Sequence, residues 1–70
     1  MPLNAIGLVE VSSIAKGYEA VDAMLKTASV QLLVARTICS GKYIIVVGGD
    51  VAAVASSVES GAAQAEGFLI

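Results

Sequence analysis

Two short apolar runs on either side of a turn dominate the middle of the chain. Val30–Ala35 is apolar on both faces, as expected for a strand that is covered on both sides, and Tyr43–Val47 is a second apolar run. Cys39-Ser40-Gly41 connects them, and Gly41 can adopt the positive φ that hairpin turns require. The pattern predicts two buried strands, Val30–Ile38 and Tyr43–Val47, joined by an exposed hairpin turn.

The segments before this hairpin predict a strand and then a helix. Asn4–Val11 alternates loosely and is rich in branched residues, while Ser12-Ser13 supplies an N-cap hydroxyl for a helix over Ile14–Ala28. Asp22 precedes Lys26 by four residues, which favours an ion pair on the solvent face. The predicted inner stripe of this helix consists of Ile14, Tyr18, Val21, Leu25 and Ala28.

A second helix and the start of another strand follow the hairpin. Gly48-Gly49 is expected to end the strand, and Asp50 to cap a helix over Val51–Ala65. Phe68–Ile70 resembles the opening of a strand that the chain does not complete. The order βαββα(β) predicts an α+β sandwich related to the ferredoxin-like fold. Because the last strand is incomplete, we expect the chain to be a fragment, or a domain to which a partner supplies the missing strand. The predicted inner stripe of the second helix consists of Val51, Val54, Ala55, Val58, Ala62 and Ala65.

The apolar content is too high for a small domain that works alone. Of the 70 residues 57% are apolar, against roughly 45–50% in ordinary domains, and the mean hydropathy is +0.87. No run approaches the roughly 20 apolar residues that a membrane-spanning helix needs. Met1–Val11 lacks a basic region and contains Glu10, so it does not resemble a signal peptide. The excess therefore predicts self-association.

Composition argues against several classes of function. The net charge is −2 with no basic patch, which is untypical of nucleic-acid binding. The chain has no histidine, the commonest general base and metal ligand, so we expect it not to be an enzyme. A single cysteine forms no intrachain disulfide and fits a reducing, cytoplasmic setting. The acidic residues show no clustered spacing: Glu10, Glu19, Asp22, Asp50, Glu59 and Glu66.

Two local features leave alternatives open. Gly48-Gly49-Asp50 follows a strand as in a nucleotide site, but its spacing is not that of a phosphate loop, and helix capping explains Asp50. A small oligomeric regulatory module that binds an effector through Gly48-Gly49 is the alternative function. Cys39 is most simply an inert thiol. Three copies around a threefold axis would nevertheless supply three thiolates to an iron–sulfur cluster.

Several blocks together resemble the bacterial microcompartment shell domain from about residue 4 to the end. They are Ala5–Val11, Asp22–Ala28 and Gly48–Val54, in the right order and spacing. The blocks Ser12–Gly17 and Thr37–Lys42 are similar to the first half of tandem-domain, trimer-forming shell proteins of the propanediol-utilisation type. The resemblance implies a single domain over residues 4–70, truncated at its C-terminus and belonging to a longer tandem protein.

The resemblance also implies a function and a set of sites. Family members form flat hexagonal tiles of six single or three tandem domains, which pack with other shell proteins around an organelle in the bacterial cytoplasm. The turn matching Ile38, Cys39, Ser40 and Gly41 lines the central pore for small molecules. In cysteine-bearing tandem members three such thiols hold a 4Fe–4S cluster for electron or cluster transfer, which implies that Cys39 is a metal ligand. Lys26 matches a lysine at the tile edge.

Overall fold

The computed structural model describes residues 4–70, and its elements follow the predicted order. Met1–Leu3, at the start of the segment judged not to be a signal peptide, lie outside the described residues. A 3-10 turn, Cys39–Gly41, connects the second and third strands. The elements are β1 Ala5–Val11, α1 Ile14–Thr27, β2 Gln31–Ile38, β3 Lys42–Gly49 and α2 Val51–Gln64.

The three strands form one antiparallel sheet in the order β1-β3-β2. Side chains alternate across such a sheet, so each strand has one face toward the helices and one away from them. The inner face carries the core residues Val9, Val11, Tyr43, Ile45 and Val47, all buried. Both helices lie on this face, where Ala20 and Met24 of α1 complete the core.

Strand β2 differs from the prediction. Val30–Ala35 was expected to be covered on both faces, but β2 is an edge strand, and none of its residues is buried in the single chain. Its register shifts between Leu32 and Val34, which places Leu33 in an irregularity of the ladder. Ala35 packs against the core, whereas Leu32 and Leu33 are exposed and available to another surface.

Helix α1 buries a different stripe from the predicted one. In α1 the buried residues are Gly17, Ala20 and Met24, whereas Tyr18 is 63% exposed and Leu25 41% exposed. Two of these three are small because α1 packs closely on the sheet: a Cβ on Gly17 would lie 2.5 Å from the ring of Tyr43 in β3. Counting the largest apolar residues therefore selected the wrong face.

The inner stripe of α2 was partly correct. Val54 and Ala65 are buried, and Val58 and Ala62 are half-buried. Val51 is 65% exposed, and Ala55 is exposed as well. The buried Ser57, which the prediction missed, donates a hydrogen bond from Oγ to the Met24 carbonyl oxygen at 3.1 Å. A hydroxyl can face the neighbouring helix because that helix supplies an acceptor.

The predicted starts of the helices are confirmed by hydrogen bonds. The Ser13 hydroxyl accepts from the Lys16 amide at 3.3 Å, and Oδ1 of Asp50 accepts from the Ala53 amide at 2.8 Å. Helix α1 ends at Thr27, one residue before the expected Ala28, and α2 ends one residue before Ala65. These caps fix where each helix leaves the sheet.

The last residues begin to pair with β1. The Ser12 amide donates to the Phe68 carbonyl oxygen at 2.8 Å, and the Ile70 amide donates to the Glu10 carbonyl oxygen at 3.0 Å. A single antiparallel bridge joins Val11 to Leu69. A strand continuing in this direction would lie beside β1, at the free edge of the sheet; its full length stays a prediction.

Candidate functional site

The connection between β2 and β3 projects from one end of the sheet. Ile38 pairs with Lys42 as the last rung of the ladder, and Cys39–Gly41 turn the chain beyond it. Cys39 and Gly41 are exposed, which confirms the predicted exposed connection. Gly41 has φ 75°, a conformation that other residues adopt only with strain, and a Cβ there would meet no atom within 4 Å. The turn therefore needs glycine for its backbone conformation, with no crowding around it.

Cys39 offers one thiol and no partner ligand within its own chain. The described residues contain no group of three His, Cys, Asp or Glu side chains able to hold a metal ion. Since an iron–sulfur cluster is generally held by several thiolates, one chain does not make the site. An exposed thiol at the tip of a projecting turn does fit a site that several copies share, because neighbouring chains can approach it. The side chain of Ser40, the other polar member of the turn, is outside the described part of the structure.

Lys26 and Cys39 lie at opposite ends of the molecule. Lys26 is in the last turn of α1, its side chain is 77% exposed, and its Nζ lies 3.0 Å from Oδ2 of Asp22. This salt bridge confirms the predicted pair. Strand β2 begins four residues after the end of α1 and ends at Ile38, the residue before Cys39. Its eight residues span roughly 25 Å at about 3.3 Å each. The strand therefore places Lys26 near one of its ends and the Cys39–Gly41 turn at the other.

The side of the sheet away from the helices is apolar and uncovered. Leu8, Val46 and Val34 lie opposite one another on adjacent strands, which places them on one face. Ile6 is 68% exposed and Leu8 53% exposed. We call this surface the outer sheet face; it consists of Ile6, Leu8, Val34, Ile44 and Val46.

A second apolar surface belongs to the helix layer. Ile14, Tyr18 and Leu25 of α1 are all exposed, and we call them the helix face. Tyr18 packs edge-on against the inner-face residue Tyr43 with ring centroids 5.4 Å apart, so the helix face adjoins the core. Large exposed apolar surfaces usually mark interfaces. The described residues thus include two such surfaces, on different layers.

Sequence reasoning missed both surfaces, although β1 carried a signal for one. Ile6, Leu8 and Val9 make β1 apolar on both of its faces, as in a strand covered on both sides. The helix face was seen as a stripe but assigned to the core. The predicted stripe omitted all three buried residues of α1: the small Gly17 and Ala20, and the large Met24.

Two titrating groups show shifted pKa values on the helix side. The Lys16 ammonium, 3.1 Å from Oε1 of Glu19, lowers the pKa of that carboxyl below its ordinary value, helped by a hydrogen bond from Gln64. Burial raises the pKa of Tyr43, and the neighbouring Tyr18 adds to the shift. Neither group lies in the Cys39–Gly41 turn, so neither shift concerns the candidate site.

The alternative effector site finds no support at Gly48-Gly49. Both glycines are buried within β3, where they pair with Ile6 and Ala5 instead of forming an exposed turn. No cleft or cavity was found in the part of the chain that the structure describes. Neither α1 nor α2 has the length and apolar character that crossing a membrane requires.

Comparisons with known proteins identify the domain. The family model described as BMC domain matches residues 5–70. The bacterial microcompartment shell protein PduT of Citrobacter freundii is 53% identical over 67 residues, covering 96% of this chain and 36% of PduT. PduA of the same organism, also a bacterial microcompartment shell protein, is 42% identical over 65 residues, covering 93% of this chain and 70% of PduA.

A solved structure agrees with these matches. The crystal structure of a microcompartment protein from Desulfitobacterium hafniense DCB has a TM-score of 0.92 and 58% identity, covering 93% of this chain and 36% of that one. The chain thus spans little more than a third of PduT and of the crystallised protein. The named relatives are shell proteins and not enzymes, in agreement with the prediction. The match over residues 5–70 shows that this chain belongs to the BMC domain family.

Proposed function

We propose that this BMC domain is a structural subunit of a bacterial microcompartment shell, in which copies assemble into tiles with the Cys39–Gly41 turn at a central pore. The observation that carries the proposal is the placement of Cys39 and Lys26 at opposite ends of the domain, separated by the length of β2. One end suits an axis shared by several copies, and the other suits a rim. Shell-protein relatives with 53% and 42% identity support the same function.

The two apolar surfaces support a head-to-tail arrangement of copies. A ring requires two different patches on each subunit, because each copy contacts one neighbour through one patch and the other neighbour through the second. The outer sheet face and the helix face are different in residues and lie on different layers of the domain. Packing one against the other in successive copies would bury both around a closed ring, a trimer of tandem domains or a hexamer of single ones.

Substitution in the outer sheet face tests this assembly. Leu8→Glu places a charge at a position that is 53% exposed in the single chain, so the domain should fold while the ring fails to form. Ala63→Glu, at an exposed position of α2 outside both surfaces, is the matched control. Sedimentation and electron microscopy should show rings and hexagonal sheets for the control and single domains for Leu8→Glu. Rings formed by Leu8→Glu would reject this face as an interface.

We also propose that Cys39 from three copies holds a 4Fe–4S cluster at the pore. Thiolates are soft ligands that such clusters prefer, and the fourth iron would be left for a non-protein ligand. When bound, the cluster would supply one-electron transfer across the shell. Within this chain, Gly41 sets the turn that projects the thiol, and the exposure of Cys39 keeps it accessible to neighbouring copies.

Anaerobic reconstitution with iron and sulfide tests the cluster separately from the ring. The expected result is the visible absorption of an iron–sulfur cluster, with about one cluster for three chains. Cys39→Ser keeps the size of the turn and should assemble equally well but remain colourless. A colourless wild-type ring, or equal colour in Cys39→Ser, would reject the cluster and leave the shell function standing.

The extent of the domain is a further part of the proposal. We take residues 4–70 as the first half of a tandem protein whose next residues continue from Leu69 along β1. The antiparallel bridge between Val11 and Leu69 sets the direction of that strand. Reading the gene beyond the codon for Ile70 tests it: a strand-like segment followed by a second similar domain is expected, and an unrelated continuation would contradict it.

A further inference from the structure

The four basic residues of the chain fall into two groups. Lys16 and Lys26 each pair with an acidic residue on the same helix, Glu19 at 3.1 Å and Asp22 at 3.0 Å. Arg36 and Lys42 form no salt bridge with any residue of the described range 4–70. The positive charge without a paired acid is therefore confined to β2 and β3, close to the Cys39–Gly41 turn.

The strand register places Arg36 and Lys42 together on one face. Arg36 lies opposite Ile44, and Lys42 lies opposite Ile38. The two cations are therefore diagonal neighbours on the side of the sheet away from the helices, between the outer sheet face and the turn. Arg36 is exposed and Lys42 half-buried. Lys42 follows the turn directly, and Arg36 precedes Cys39 by three residues, at most about 10 Å along the strand.

The nearest acidic side chain on this face does not cancel these charges. Glu10 of β1 and Arg36 of β2 both lie opposite Ile44 of β3, so the order across the three strands is Glu10, Ile44, Arg36. Two strand spacings, roughly 9.5 Å, separate the Glu10 and Arg36 backbones, and their side chains form no ion pair. The turn thus has two cations at its base and one more distant carboxylate.

We propose that Arg36 and Lys42 form a cationic collar at the base of the Cys39–Gly41 turn, which favours small anionic solutes, such as carboxylates and phosphates, over neutral ones. The inference rests on the proposed function in one respect: a ring would repeat the collar around the pore. Within about 10 Å, the screening length at roughly 0.1 M salt, each cation attracts an anion that approaches the turn. Clefts lined by one sign of charge concentrate solutes of the opposite sign.

Cys39 itself reports this preference, because it is the only cysteine and is exposed. Its thiolate attacks one sulfur of an aromatic disulfide, which breaks the S–S bond, forms a mixed disulfide and releases the other half as a thiolate or its thione tautomer, followed by its absorbance. Dithiobis(nitrobenzoate), a dianion, and dithiodipyridine, a neutral compound, serve as the probes. The measured quantity is the rate constant for the anionic probe divided by that for the neutral probe. This ratio cancels differences between variants in the exposure and reactivity of the thiol.

The expected ratio falls about threefold in Arg36→Gln/Lys42→Gln at roughly 0.1 M ionic strength, and less at higher salt. Arg36→Lys/Lys42→Arg retains both charges and should retain the ratio. Lys16→Gln removes one positive charge from an ion pair of α1, away from the collar, and should also leave the ratio unchanged. An unchanged ratio in the double glutamine variant, or an equal fall in Lys16→Gln, would overturn the collar.

The oligomeric state of each sample, measured by sedimentation, separates this inference from the proposed function. If the chain forms no rings, the shell function fails, while the ratio in the single domain still tests the collar. If rings form and the ratio does not respond to Arg36 and Lys42, the collar fails and the shell function stands. If the shell function and the collar are both correct, the ratio of the anionic to the neutral rate constant should be larger in rings than in dissociated subunits.

Discussion

At the scale of single residues, small side chains determine how closely the layers pack. A Cβ at Gly61 would lie 2.6 Å from the side chain of Met24, and one at Gly7 would lie 2.4 Å from Val58. A Cβ at Gly17 would likewise collide with the Tyr43 ring. These three glycines occupy contacts between α1, α2 and the sheet. Their absence of a side chain explains why larger apolar residues on the helices are exposed.

Gly17→Ala should destabilise the domain despite the helix preference for alanine. Alanine gains about 1 kcal/mol in helix propensity over glycine, whereas overpacking a tight core costs about 1–3 kcal/mol. The added Cβ would lie 2.5–2.8 Å from three atoms of Tyr43, which belongs to the sheet and cannot move freely. Urea denaturation should show a net loss of stability. In the control Ala15→Gly, at an exposed position of the same helix, only the propensity loss of about 1 kcal/mol is expected. A gain in stability for Gly17→Ala would contradict the close packing.

The Glu19 carboxyl should titrate below its ordinary pKa of 4.5, chiefly because Lys16 donates a hydrogen bond to it. A pKa lowered in the folded state adds stability above the unfolded pKa, and that stability is lost as pH falls through the folded value. Carboxyl chemical shifts followed by NMR measure the midpoint. Lys16→Gln should raise it toward the ordinary value, while Lys26→Gln should leave it unchanged. No response to Lys16→Gln would show that another group causes the shift.

At the scale of elements, sequence patterns predicted the order of the helices and strands and the starts of the helices, but assigned the wrong buried face to α1 and too much burial to β2. Ser13 and Asp50 are capping residues whose chemistry is local, so the helix starts follow from the sequence alone. Which face is buried depends instead on the distance between layers, set by residues such as Gly17 and Gly61. The apolar pattern of β2 predicted a strand covered on both faces. Whether it is covered depends on a second surface that lies outside the single chain.

Removing the Asp50 cap should weaken α2 by about 1 kcal/mol, within a range of about 0.5–2 kcal/mol. Oδ1 of Asp50 accepts a hydrogen bond from the Ala53 amide, which loses its partner in Asp50→Ala. Asp50→Ser keeps an accepting oxygen and should recover most of the loss. Thermal and urea unfolding of the two variants measure the difference. Equal losses in both would show that the side-chain oxygen at this position does not stabilise the helix.

At the scale of the whole molecule, the exposed apolar surfaces explain a composition that one small domain does not need. Ile6, Leu8 and Tyr18 are each more than half exposed, and Val51 is 65% exposed. The sequence predicted self-association from this excess, and it placed Cys39 in an exposed turn correctly. It could not predict which surfaces meet, because interfaces depend on faces that only the folded chain defines. The collar residues were likewise hidden, since their shared face follows from the strand register.

The distance between copies of Cys39 tests the central claim most directly. Because Cys39 is the only cysteine, a spin label attached there reports distances between subunits by dipolar electron resonance. The matched sample carries the label at position 26, as Lys26→Cys in a Cys39→Ser background. We predict short, narrowly distributed distances for Cys39 and longer ones for position 26. No dipolar coupling between Cys39 labels, or longer distances at Cys39 than at position 26, would contradict the placement of this turn at a shared axis.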